Sequence, residues 1–160
     1  MKSVINYENI VLLINEIDLE NTKFYGLFHG DMCATNIFWD VHEDTCKLID
    51  PRGQNHRVSE VPLGDLRYDL AKIYQSFVLG YDLVLADKFE YVSSTGHEKL
   101  QFLDEPQSEF YYELIRDVLC KPLGIDIAEI HLMGIILLIG LLPLHSDRPD
   151  RQIAFLHIIK

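Results

Sequence analysis

Three polar residues on a fixed spacing constrain this chain more than any other feature in it. Asp31 is followed five residues later by Asn36, and Asp50 comes fourteen residues after that. The first two lie in His29-Gly30-Asp31-Met32-Cys33-Ala34-Thr35-Asn36, the third in Lys47-Leu48-Ile49-Asp50-Pro51-Arg52-Gly53. Residues 36–40 and 46–50 read as the two strands of a hairpin, with His42-Glu43-Asp44-Thr45 as its polar turn. A hairpin returns to the end it left, so Asn36 and Asp50 meet there. An amide oxygen beside a carboxylate, completed by waters, suits magnesium, which keeps much of its hydration. Asp31 adds a carboxylate that can orient or deprotonate a hydroxyl. These are the groups that phosphoryl transfer from ATP needs close together. Each residue alone reads equally well as a turn cap. The three at this spacing favour chemistry.

Protein kinases use the same Asp-x4-Asn loop with a later Asp at a strand end. The chain resembles one group of their relatives over His-Gly-Asp-x4-Asn, Ile-Asp-Pro-Arg-Gly and the segment Gly64-Asp65-Leu66-Arg67-Tyr68-Asp69-Leu70-Ala71-Lys72. It is similar to the C-terminal lobe of the aminoglycoside phosphotransferase and choline kinase family. The nearest flavour is that of phosphotransferase-like proteins of capsular polysaccharide biosynthesis. The tail Leu141-Leu142-Pro143-Leu144-His145, with Asp147-Arg148-Pro149, also looks like that subgroup. The resemblance implies an α+β, mostly helical, kinase-like C-terminal lobe with small hairpins, without the N-terminal lobe and its glycine-rich cover and strand lysine. Lys2 and Lys23 are not positioned like that lysine. It implies Asp31 as the catalytic base, Asn36 and Asp50 as magnesium ligands, and ATP as the phosphoryl donor. It implies a sugar-type acceptor, and a partner chain or domain that completes the site. His29 has two readings, a brace for the loop or a catalytic acid–base beside Asp31; the brace is favoured. Asp69 reads first as a residue favoured at a helix start, and the resemblance implies that it braces the same loop. Asp65 reads first as a helix cap, and Arg67 as a partner for nearby carboxylates, both outside the direct contact shell. Arg52 reads evenly as a phosphate or acceptor contact or as a plain ion-pair partner.

The whole chain sets bounds on this. Its 160 residues fit a single domain, 1–160, large enough for one core. The formal net charge of −11 speaks against a nucleic-acid or anionic-membrane partner, but not against a nucleotide bridged by magnesium. Cys33, Cys46 and Cys120 cannot all pair within one chain and fit no zinc spacing, so reduced thiols and a cytoplasmic location are expected. The start carries no apolar run of the signal-peptide kind. The most apolar stretch, 132–144, is too short for a membrane span and reads as a buried helix.

Helices are expected over 3–17, 68–79, 106–120, 126–142 and 149–159. Residues 25–29 read as a short extended run, and 54–63 as a polar loop over the site. Residues 82–103 read as extended, with a turn at 93–96 and with Tyr81, Phe89 and Tyr91 as aromatics that either stack on a sugar or simply pack. Ile37, Phe38, Leu48 and Ile49 are core candidates. His131 reads as a partly buried polar residue. Two rivals stand beside phosphoryl transfer. One is a non-catalytic binding or scaffolding module on the same lobe. The other is a metal-dependent phosphoesterase, for which the ligands are few.

Overall fold

A computed structural model of the chain describes residues 11–12, 14–18, 22–52, 62–94, 97–104 and 107–159. Among them the fold is α+β and mostly helical, with three two-stranded antiparallel sheets. Strand β1 (Tyr25–Leu27) pairs with β4 (Leu63–Asp65), and β2 (Ile37–Asp40) with β3 (Thr45–Leu48). Helices α1 (Leu66–Phe77) and α2 (Tyr81–Leu85) follow. The hairpin of β5 (Phe89–Ser94) and β6 (His97–Phe102) comes next. Then come α3 (Ser108–Leu114), α4 (Ile127–Leu141) and α5 (Pro149–Ile158).

Two carboxylates set where the central helices begin. Asp65 accepts from the Arg67 N–H at 2.9 Å, and Asp126 from the Ala128 N–H at 2.9 Å, each satisfying an amide that the first turn leaves free. Helix α4 is apolar on nearly every side, as a helix buried in a bundle should be. It packs along α1, and Leu70, Ala71, Tyr74, Ile130, Met133 and Leu138 form the centre of the core, which Ile115, Cys120 and Phe155 extend. At Gly64 the β1–β4 pair is packed tightly against the residue that follows β1: a Cβ there would stand 2.3 Å from the Phe28 ring.

Arg67 is fully buried and ties three parts of the chain together. It pairs with Asp65 at 2.6 Å and with Glu129 of α4, donates to the Asp18 carbonyl at 2.7 Å, and lies over the Phe24 ring. A buried guanidinium is tolerable only with such complete pairing.

Several expectations need correction. Residues 82–85 are helical, not extended: Val84 N–H bonds the Gly80 carbonyl at 3.2 Å, and the strand begins only at Phe89. Leu83, Val84 and Leu85 look like a strand by composition, but a run this short has no decisive period. Phe38, Leu48 and Ile49 are not core: each is about half exposed, and since Phe38 pairs with Lys47 and Leu48 with Ile37, the hairpin leaves apolar side chains open on both faces. The helix expected over 68–79 starts earlier, at Leu66, because Asp65 caps it. Past Leu114 the α-helix widens into a π turn over Ile115–Cys120, ahead of Pro122, which has no N–H to return to it. Phe89 and Tyr91 pack: their rings meet edge to face, and the Tyr91 hydroxyl donates to the Asp150 carbonyl at 2.7 Å.

Of the helix expected over 3–17, residues 3–10 and 13 lie outside the described residues, and 11–12 and 14–15 are helical. Most of the expected loop 54–63, the turn residues Thr95 and Gly96, and Pro106 also lie outside them. Among the described residues no single helix is long and apolar enough to cross a membrane.

Candidate active site

The segment around Asp31 is held from below by one carboxylate. Gly30 turns with φ of 82°, in the left-handed region that glycine enters without steric cost. The two amides at this turn, His29 and Gly30, both donate to Asp69, at 2.5 and 2.9 Å. Asp69 sits in the first turn of α1, so the helix presents its carboxylate to the loop as it begins. His29 is buried. Its Nδ1 accepts from the Asp31 N–H at 3.3 Å, and its Nε2 lies 2.9 Å from the Ile49 carbonyl. With Nδ1 accepting, the proton belongs on Nε2, which donates to Ile49. Both ring nitrogens are thus engaged within the protein, between the two halves of the site.

Those halves are laced together by their backbones. The Asn36 side-chain amide donates to the Asp31 carbonyl at 2.9 Å, while the Asn36 carbonyl accepts from the Ile49 N–H at 3.1 Å. The Arg52 N–H donates to the His29 carbonyl at 2.7 Å. The hairpin register, Ile37 opposite Leu48, carries the strand ends to the same place, as the spacing of Asn36 and Asp50 predicts. Asp50 has φ of 54°, a left-handed backbone that Asp tolerates better than most residues and that turns the chain out of the strand.

Charges converge on Asp31. Lys72 Nζ stands 3.1 Å from one carboxylate oxygen and Arg52 Nε 3.4 Å from the other. Arg52 also reaches Asp50 at 3.1 Å, so it bridges the two acids. The hydrogen bond that Arg52 donates to Asp50, with the charge of Asp31 adding to it, holds the Arg52 guanidinium above its ordinary pKa. Asp50 itself is more than half exposed, whereas the Asp31 side chain is mostly covered. A cleft of about 500 Å³ opens here. Gly30, Asp31, Asn36, Arg52 and Lys72 line it, together with Tyr81 and Leu85 of α2 and with Leu144 and His145 of the turn after α4.

The expected site residues therefore divide. His29, Asp31, Asn36, Asp50, Arg52 and Asp69 form one connected network. Asp65 and Arg67 stand apart from the cleft lining, in the buried cluster that anchors the start of α1.

Two residues the sequence reading left unassigned also belong to the site. Lys72 is one, and Ser76 the other, its hydroxyl accepting from the Ala34 N–H at 3.1 Å. Asp69, Lys72 and Ser76 lie three and four residues apart on α1, so they share the helix face that meets the loop. That stripe is legible in the sequence once Asp69 is fixed against the loop. Asp82, close to Ser76 and Lys72, has its pKa pushed up, chiefly by burial.

The donor set fits magnesium. Asn36 spends its amide nitrogen on Asp31, which leaves its side-chain oxygen as an acceptor, and Asp50 offers a carboxylate at the adjoining strand end. Oxygen donors with water are magnesium chemistry. Among the described residues no group of three or more His, Cys, Asp or Glu is gathered so as to hold a metal ion. Comparison with family models, with curated proteins and with solved structures finds no match to this chain.

Proposed function

We propose that this chain transfers the terminal phosphoryl group of ATP to a hydroxyl of a small molecule, a sugar-type acceptor such as a capsular polysaccharide precursor, in the cytoplasm. One observation carries the reading. Asp31 faces a cleft from a loop that Asp69 fixes by two main-chain hydrogen bonds, and the β2–β3 hairpin brings Asn36 and Asp50 to that loop.

In this reading Asp31 orients the acceptor hydroxyl and takes its proton. Asn36 and Asp50 would hold magnesium, which when bound neutralises phosphate charge. His29 and Asp69 keep the loop in place. The resemblance to a kinase-like C-terminal lobe supports the same assignment. It also implies that a partner chain or domain covers the phosphates from the opposite side.

The test is transfer of label from γ-labelled ATP, with magnesium, to a panel of monosaccharides. Asp31→Asn should slow transfer by about 10²–10⁴-fold, the usual contribution of a general base. Equal transfer by the variant would remove Asp31 from the chemistry.

A second reading, a non-catalytic binding or scaffolding module, is favoured by a different observation. Tyr25 and Leu27 on β1, and Phe38, Trp39 and Leu48 on the hairpin, are all about half exposed or more. Apolar side chains gathered on strands invite a covering partner. On that reading Asp31→Asn leaves the biological role intact.

A further inference from the structure

We propose that Lys72 and Arg52 form a two-pronged cationic clamp for the phosphoryl group in transit, with Asp31 occupying the clamp until substrate arrives. This rests on the phosphoryl-transfer reading and extends it to a residue that reading does not use. Two observations and one chemical requirement carry it.

First, the two cations divide the Asp31 carboxylate between them. Lys72 Nζ is 3.1 Å from one oxygen and Arg52 Nε 3.4 Å from the other. They come from different elements, α1 and the segment after β3, so the arrangement is not a local pair on one helix.

Second, Lys72 is in the wrong place for an ordinary surface lysine. Its side chain is only 9% exposed, and its ammonium lies over the Tyr81 ring, 5.4 Å from the centroid. Taking an ammonium this far out of water is costly, and it persists where an anion compensates it. Yet the residue still lines the cleft. An ammonium has three donors, and Asp31 is the ion-pair partner it has among the described residues. Asp82 also faces Lys72, from α2, but its carboxylate oxygens are buried away from solvent and no ion pair joins the two.

Third, the charges must change partners during the reaction. As the acceptor oxygen attacks, its proton passes to Asp31 and a new O–P bond forms. The bond from the γ-phosphorus to the β–γ bridging oxygen breaks, and its electron pair leaves with the nucleoside diphosphate. Asp31 is then neutral: Lys72 loses its ion-pair partner, and Arg52 keeps only Asp50. The equatorial oxygens of the transferring phosphoryl group are the anion that takes its place. Charge on those oxygens is what catalysis of this transfer must stabilise. A planar guanidinium and a compact ammonium suit the task, the first as a fork and the second as a point charge.

The clamp addresses the γ-phosphoryl group and no other part of the nucleotide, so it makes a test that global damage cannot imitate. Calorimetric affinities for magnesium–ATP analogue and magnesium–ADP are measured on the whole chain, for the native protein, Lys72→Met and Arg52→Gln. Arg52 is well exposed, so its variant should fold even if Lys72→Met does not. The expected result is a native preference for the triphosphate that falls by about tenfold in each variant, while ADP affinity stays within about twofold. Tenfold is what one charge-assisted contact of about 1.4 kcal/mol supplies. Native preference retained in Arg52→Gln and in folded Lys72→Met overturns the clamp and leaves phosphoryl transfer standing. Absence of binding of either nucleotide to the native chain overturns both.

Discussion

Asp69 is the residue whose removal should be felt most widely. Its two oxygens take the amides of His29 and Gly30, and no water-exposed alternative is at hand because His29 and Asp69 are both buried. Asp69→Ala leaves two donors without their acceptor, at about 1–3 kcal/mol for each buried group. Urea unfolding should therefore show a loss of about 2–6 kcal/mol. Asp69→Asn keeps one acceptor and should lose less.

A second residue-scale prediction concerns pH. Burial, with Tyr112 adding to it, pushes the Tyr74 hydroxyl up to about 12; His131 is exposed rather than partly buried, but desolvation where its ring meets Tyr74 lowers its pKa from 6.5. The two touch, hydroxyl to Nδ1, at 3.0 Å. A raised folded pKa gives Tyr74 stability that is present below about 10 and is lost as pH rises toward 12. A lowered one gives His131 stability that is present above 6.5 and is lost as pH falls. The melting temperature should fall on both sides of this window. Tyr74→Phe should make the alkaline limb shallower without abolishing it, since burial also pushes Tyr81 to about 12.

At the scale of elements, α1 does two jobs from two faces. Asp69, Lys72 and Ser76 meet the loop, while Leu70, Ala71 and Tyr74 pack in the core. Its start is anchored by Arg67. Arg67→Met leaves Asp65 and Glu129 without their cation and should cost about 3–5 kcal/mol, the usual result of breaking a buried ion pair. Glu129→Gln, which keeps a hydrogen-bond acceptor for Arg67, should cost less. The measurement is the unfolding midpoint at constant slope.

Helices were the readable elements, because Asp65 and Asp126 mark their starts, an apolar period runs along α1 and a long unbroken apolar stretch fills α4. The short element α2 was not readable. Five residues hold little more than one turn, and Leu83-Val84-Leu85 satisfies either period. Lys72 escaped for another reason: one lysine in a helix carries no signal until its partner across the fold is known.

For the molecule as a whole, the loop and the hairpin were legible because the turn residues and the Asp and Asn spacing fix them locally. Burial was not. Phe38, Leu48 and Ile49 sit in short apolar runs, Ile37-Phe38-Trp39 and Leu48-Ile49, and such a run says nothing of whether another surface covers it. Trp39, the single tryptophan, is 59% exposed on this hairpin. Trp39→Ser should change the stability of the isolated chain by no more than about 0.5 kcal/mol, as for an ordinary surface position. Denaturant unfolding followed by circular dichroism checks this. A much larger loss would mean that the hairpin packs in solution.

In the proposed reading Asn36 and Asp50 complete one magnesium–nucleotide site with Asp31. Calorimetric titration of magnesium and a non-hydrolysable ATP analogue into the native chain and into Asp50→Ala tests it most directly. The account predicts saturable binding to the native chain that weakens at least about tenfold in the variant, as loss of a charged ligand should cause. Binding of equal strength to both proteins would contradict it.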